Sequence, residues 1–124
     1  MNDNVKILAT HLAFPEGPIA MPDGSVVFVE IGAGQLSRWR PNGQVEAVAQ
    51  PGGGPNGATS DQRDRIYIAQ NGGNWMRNPD PTRVEPGMSG GVQCVIDGEA
   101  VWVSRNPLAP NDLCFGPDGL LYVT

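Results

Sequence analysis

Long apolar runs are missing from this 124-residue chain. None approaches the roughly 20 residues that a membrane-spanning helix needs, so no membrane partner is expected. Basic residues are scarce: eight Lys and Arg stand against 13 Asp and Glu, for a net charge of −5. Arg38, Arg40, Arg63 and Arg65 are scattered among acids. The chain therefore lacks the positive patch that phosphate binding requires, and nucleic acid is excluded as a partner. Histidine occurs once, as His11, without a spaced partner, and cysteine twice, as Cys94 and Cys114. The cysteines have no metal-ligand spacing and sit among apolar residues, so two reduced, buried core thiols are expected. The first ten residues lack the basic start and apolar core of a leader peptide, which makes the cytoplasm the expected location. Helical periodicity is absent as well, and the density of Gly and Pro in segment 41–56 would break any helix there.

What the chain does have is 17 Gly and 12 Pro between short apolar runs that bring the hydrophobic share to 40%. That is the pattern of an all-β protein with many tight turns. Three segments align without gaps: 15–29 (PEGPIAMPDGSVVFV), 55–69 (PNGATSDQRDRIYIA) and 110–124 (PNDLCFGPDGLLYVT). Each opens with Pro, then a polar residue (Glu16, Asn56, Asn111), then a small or short one (Gly17, Gly57, Asp112). A turn follows, and an apolar strand closes the unit. Further strands are expected at 35–40, 45–49, 91–96 and 100–104, joined in pairs by Pro41-Asn42-Gly43 and by Asp97-Gly98.

The first two repeats start 40 residues apart, the period of a four-stranded propeller blade. The next interval is longer because of a Gly-, Asn- and Pro-rich insertion at 71–90. The expected fold is a β-propeller. Blade 1 spans about 15–50, blade 2 about 55–105, and blade 3 starts at about 110–124, so the chain supplies about two and a half blades. Such an open arc leaves apolar faces bare. The chain is therefore expected to be the N-terminal part of a longer protein, with completion of the ring by partner chains as the alternative.

Glu16, Asn56 and Asn111 share one repeat position at the start of the innermost strand, and innermost strands line a propeller's channel. One carboxylate and two amides are hard oxygen donors, suited to Ca²⁺ or Mg²⁺ and without the imidazole or thiolate that zinc prefers. A Glu flanked by Phe14-Pro15 and Gly17-Pro18 is costly to bury without a cation or a basic partner. Asn56 also suits a turn, and Asn111 a capping role. His11 reads as a surface or packing residue, and Trp39 and Trp102 as blade packing. Trp75, with Met76, lies in the insertion and is expected to wall a substrate pocket.

Phe14-Pro15-Glu16-Gly17-Pro18 resembles the N-terminal Glu-Gly-Pro motif of the SMP-30/gluconolactonase/luciferin-regenerating-enzyme family. Pro110-Asn111-Asp112-Leu113 with Pro117-Asp118-Gly119 resembles its Asn-Asp signature and following turn. Pro55-Asn56-Gly57 with Gln70-Asn71-Gly72-Gly73 looks like the family's lactonase branch, which shades toward strictosidine-synthase-like propellers. The resemblance implies six blades and a channel metal, usually Ca²⁺, with Mg²⁺, Zn²⁺ or Mn²⁺ as other candidates. It implies Glu16 and Asn111 as metal residues and Asn56, with Asp112 and Trp75, on the substrate side. The catalytic base and remaining ligands are expected beyond residue 124. Some sugar-lactone members carry an Arg where this chain has Ala109, a departure that speaks against a sugar-acid substrate. The function implied is metal-dependent hydrolysis of a small-molecule lactone or related cyclic ester, or of a phosphotriester. The alternatives are a non-catalytic ligand- or partner-binding propeller and a strictosidine-synthase-like enzyme.

Overall fold

The computed structural model describes residues 4–73 and 89–124. Among the described residues ten strands follow one another: β1 (Pro15–Ala20), β2 (Val26–Glu30), β3 (Gln35–Trp39), β4 (Val45–Ala49), β5 (Pro55–Ser60), β6 (Ile66–Gln70), β7 (Gly91–Ile96), β8 (Glu99–Ser104), β9 (Leu113–Phe115) and β10 (Leu121–Val123). They form two four-stranded sheets, β1-β2-β3-β4 and β5-β6-β7-β8, and a β9–β10 hairpin. Every pairing is antiparallel and joins strands adjacent in sequence. The only helical element among the described residues is a 3₁₀ turn, Ile31–Ala33.

Turn chemistry sets these registers. At Asp97-Gly98 both residues have positive φ, 51° and 81°, and Ile96 pairs Glu99 directly across the two-residue loop. That is the turn whose twist matches the flanking strands. In the Pro22-Asp23-Gly24 turn, Asp23 Oδ1 accepts from the Ser25 N–H at 2.9 Å and from the Ser25 hydroxyl. These bonds hold the Asp23 carboxyl below its ordinary pKa. The Pro41-Asn42-Gly43 and Pro117-Asp118-Gly119 turns close through Gly43 N–H to Arg40 O (2.8 Å) and Gly119 N–H to Gly116 O (3.0 Å). Antiparallel hairpins close at all four of these turns. In the second repeat Asp64 takes the left-handed position (φ 58°) that Gly24 and Gly119 hold in the others.

Strand periodicity then sorts the faces. Val27 and Val29 of β2, Leu36 of β3 and Ala49 of β4 pack against Ala58 of β5 and Ile66 and Ile68 of β6. This core lies between the two four-stranded sheets. The intervening Tyr67 turns to the other face of the second sheet, where it meets Phe115 of β9 edge to face, centroids 5.3 Å apart. The second sheet is thus covered on both sides, by the first sheet and by the hairpin. Trp39 and Trp102 are half-buried on β3 and β8; Trp102 carries the Arg105 guanidinium 3.9 Å above its ring.

One expectation is corrected. Cys94 is buried, but Cys114 is exposed. On β9 side chains alternate, and Leu113 takes the inward place (6% exposed), so its neighbour Cys114 must face out. An apolar neighbourhood in sequence does not distinguish the two sides of a short strand. No helix among the described residues is long and apolar enough to cross a membrane.

Candidate functional site

The innermost strands β1, β5 and β9 belong to three different sheets, yet they run against one another at their starts. Two glycines allow this. A Cβ on Gly17, whose φ is +54°, would collide with the Ala58 backbone nitrogen and lie 3.1 Å from the Gly57 carbonyl carbon. A Cβ on Gly57 would stand 2.5 Å from Asp112 Oδ1 and 2.9 Å from both Asn111 O and Asp112 Cα. A side chain at either position would force the strands apart. The residues just before these contacts are Glu16 and Asn56, and Asn111 lies against the second of them.

The ladder is also irregular at this point. Pairing shifts between Glu16 and Ile19 on β1 and between Pro55 and Gly57 on β5. Bulges of this kind re-aim side chains at the rim of a sheet. Asn56 Nδ2 donates to Asn111 Oδ1 at 2.8 Å, joining two repeat-equivalent amides 55 residues apart in sequence. The Asn111 backbone is fixed by its N–H to Thr124 O (2.6 Å), and Thr124 N–H returns to Asp112 O (3.0 Å). Asp112 turns one carboxylate oxygen back onto the Leu113 N–H at 2.8 Å, which caps the start of β9. Glu16, Asn111 and Asp112 are exposed, and Asn56 is partly buried.

The structure thus brings Glu16, Asn56, Asn111 and Asp112 to one end of three adjoining inner strands. Trp75 and Met76 lie outside the described residues. His11 is exposed and contributes nothing to this group. Among the described residues no group of three or more His, Cys, Asp or Glu side chains is placed to hold a metal ion. The side chains at the starts of these strands are the carboxylates of Glu16 and Asp112 and the amides of Asn56 and Asn111, an oxygen set that suits a hard cation and not a soft one.

Two residues were given no role from the sequence. Glu30 and Gln70 end β2 and β6 and are buried, at 5% and 0% exposure. Each accepts hydrogen bonds from the segment leading into its sheet's inner strand, Ala13 N–H to Glu30 at 2.9 Å and Gly54 N–H to Gln70 at 2.7 Å. The signal was present: both stand one residue beyond the aligned repeat, and a charged or amide side chain after four largely apolar residues is conspicuous.

Solved structures with the same fold include a gluconolactonase from Xanthomonas campestris (19% identity, TM-score 0.69, covering 94% of this chain and 36% of that one). A virginiamycin B lyase from Staphylococcus aureus, solved with quinupristin, superposes over 100% of this chain and 40% of its own (21% identity, TM-score 0.65). A luciferin-regenerating enzyme does so over 93% and 38% (14% identity, TM-score 0.64). The chain therefore spans well under half the length of these structures. At such identities the likeness establishes the fold, a β-propeller of which this chain supplies about two and a half blades. No curated protein sequence matches the chain. Its own sequence matches the model of the SMP-30/Gluconolactonase/LRE-like region over residues 14–124, and the chain belongs to that family.

Proposed function

We propose that the protein is a divalent-cation-dependent hydrolase of a lactone or related cyclic ester, with Ca²⁺ the preferred ion. Glu16 and Asn111 are ligands of the ion; Asn56 and Asp112 face the substrate. The reading is supported by one observation, the hydrogen bond between repeat-equivalent Asn56 and Asn111 where Gly57 lets the inner strands touch, with Glu16 at the equivalent position beside the Gly17 contact. A bound cation at such a place polarises an ester carbonyl and offsets the charge that develops on its oxygen.

The chain's own residues do the rest of what this segment contributes. Glu16 supplies the one formal charge among the three repeat-equivalent side chains. Asn56, through its Nδ2, donates to Asn111 Oδ1 and fixes the Asn111 amide, whose oxygen keeps a second lone pair for a cation. Asp112 stiffens the backbone beside Asn111 by capping Leu113. The general base is not among these residues. Ala109 in place of a basic side chain favours a lactone without a carboxylate. Two cysteines without a disulfide fit a reducing, cytoplasmic setting.

The test is hydrolysis of a panel of five- and six-membered lactones, neutral and anionic, followed by acid release. Turnover of neutral lactones that stops on chelation and returns with Ca²⁺ supports the proposal. Turnover indifferent to chelation removes the metal. Absence of turnover across the panel, with a panel compound bound in the channel, replaces the enzyme by a binding propeller.

A further inference from the structure

Glu30 and Gln70 occupy the same place in successive sheets. Glu30 pairs Pro15 and Gln70 pairs Pro55; each is thus the cross-strand partner of the residue before Glu16 or Asn56. Opposite on the third strands stand Ser37 and Gln93, also equivalent, pairing Phe28 and Ile68. The Ser37 hydroxyl donates to Glu30 Oε2, as does Gln35 Nε2 at 2.9 Å, and Ala13 N–H reaches Oε1. Gln70 Oε1 accepts Gly54 N–H (2.7 Å) and Gly72 N–H (2.9 Å), while its Nε2 donates to Gly52 O at 2.9 Å and to Gln93 Oε1 at 3.3 Å. Parallel backbone bonds flank each anchor, Ile31 N–H to Phe14 O (3.0 Å) and Asn71 N–H to Gly54 O (2.9 Å).

A buried carboxylate or amide is tolerated only when its lone pairs and protons are matched, and here the partners include the loops that deliver the inner strands. An apolar side chain of the same volume would fill the space without holding those loops. We propose that Glu30 and Gln70 are positioning residues of the channel mouth, each fastening the segment that presents Glu16 or Asn56. A carboxylate in one sheet and an amide in the other perform one task. The inference rests on the reading of Glu16 and Asn56 as channel residues, but its test does not depend on a metal.

The measurement is NMR of the isotope-labelled protein and its Glu30→Met, Glu30→Gln and Gln70→Met variants. In Glu30→Met the Ala13 amide exchanges faster by about tenfold or more, the loss of one well-made hydrogen bond. The Glu16 side-chain carboxyl signal moves, and β3–β4 amides keep their protection. Glu30→Gln, the side chain the second sheet uses, restores the Glu16 signal. Gln70→Met does the same to Gly54, Gly72 and the Asn56 side-chain amide. Unmoved Glu16 and Asn56 signals in the Met variants overturn the proposal, as does uniform loss of protection through the sheet or failure of Gln to rescue. Should Glu30→Met not fold, Glu30→Gln decides: a wild-type Glu16 signal supports the role and a shifted one refutes it. If these shifts appear in a protein that binds no Ca²⁺, the anchors stand and the metal reading fails.

Discussion

Gly57→Ala probes the feature on which the site depends, the contact between the second and third inner strands. Gly57 is not among the positive-φ residues, so a methyl group here acts on the folded state by steric contact and not through backbone strain. The new Cβ would meet Asp112 Oδ1 at 2.5 Å, a contact that rotation of the Asp112 side chain relieves only by giving up its bond to Leu113 N–H. The contacts at 2.9 Å to Asn111 O and Asp112 Cα are backbone and admit no such escape. Reaching ordinary van der Waals separation moves the 111–112 segment by about half an ångström or more. That shift stretches the 2.8 Å Asn56–Asn111 bond to the edge of hydrogen-bonding range. Overpacking of this kind costs about 1–3 kcal/mol, and weakening the amide pair adds about 0.5–1 kcal/mol. The expected destabilisation is about 2–3 kcal/mol, read by urea unfolding with a fixed m-value, together with a shift of the Asn56 side-chain amide resonances. A loss below about 0.5 kcal/mol, the range of an unremarkable surface change, with the Asn56 signals unmoved, would refute the close approach of these strands.

Two further outcomes follow from local geometry. Asp64 holds a left-handed backbone (φ 58°) where the other repeats use Gly, so Asp64→Gly should raise stability, by up to about 1 kcal/mol; a destabilised variant would show that the Asp side chain contributes more than its backbone costs. Acid pH should destabilise the turns. The Tyr122 hydroxyl, at 2.7 Å, holds the Asp118 carboxyl below its ordinary value, and Ser25 does the same for Asp23. Desolvation pushes Asp61 up, but the N–H groups of Arg65 and Arg63 and the Arg65 guanidinium outweigh it. Because these folded-state pKa values lie below the unfolded value of about 3.9, their contribution is complete above that pH and is lost as pH falls through the folded values. Tyr122→Phe should therefore flatten the acid limb of a stability–pH curve, and an unchanged limb would remove Asp118 from the account.

The hairpins were legible in the sequence because each rests on a local rule: Pro-Asp-Gly, Pro-Asn-Gly and Asp-Gly set positive φ where a tight turn needs it. The repeat alignment was equally informative, since it set Asn56 and Asn111, which are hydrogen-bonded to each other, at equivalent positions. What the alignment could not carry was anything requiring two strands at once. The bulges beside Glu16 and Asn56, the Asn56–Asn111 bond and the role of Gly57 as a spacer all depend on inter-sheet approach. Cys114 was misplaced for a similar reason, because which face of β9 is buried is decided by the second sheet and not by β9 itself. Glu30 and Gln70 lay one position past the aligned segment, and their meaning emerges only when the loops they hold are seen beside them.

The central claim is that Glu16 contributes charge to a cation site at the meeting of the inner strands. Calorimetric titration of Ca²⁺ into the protein and its Glu16→Gln variant tests it directly, since the substitution keeps the shape and removes the charge on which Ca²⁺ affinity depends. Saturable binding to the protein is expected, with an affinity weaker by at least about tenfold in the variant, about 1.4 kcal/mol, and the unfolding transition unchanged in the absence of metal. Equal Ca²⁺ affinity in the two proteins would contradict it.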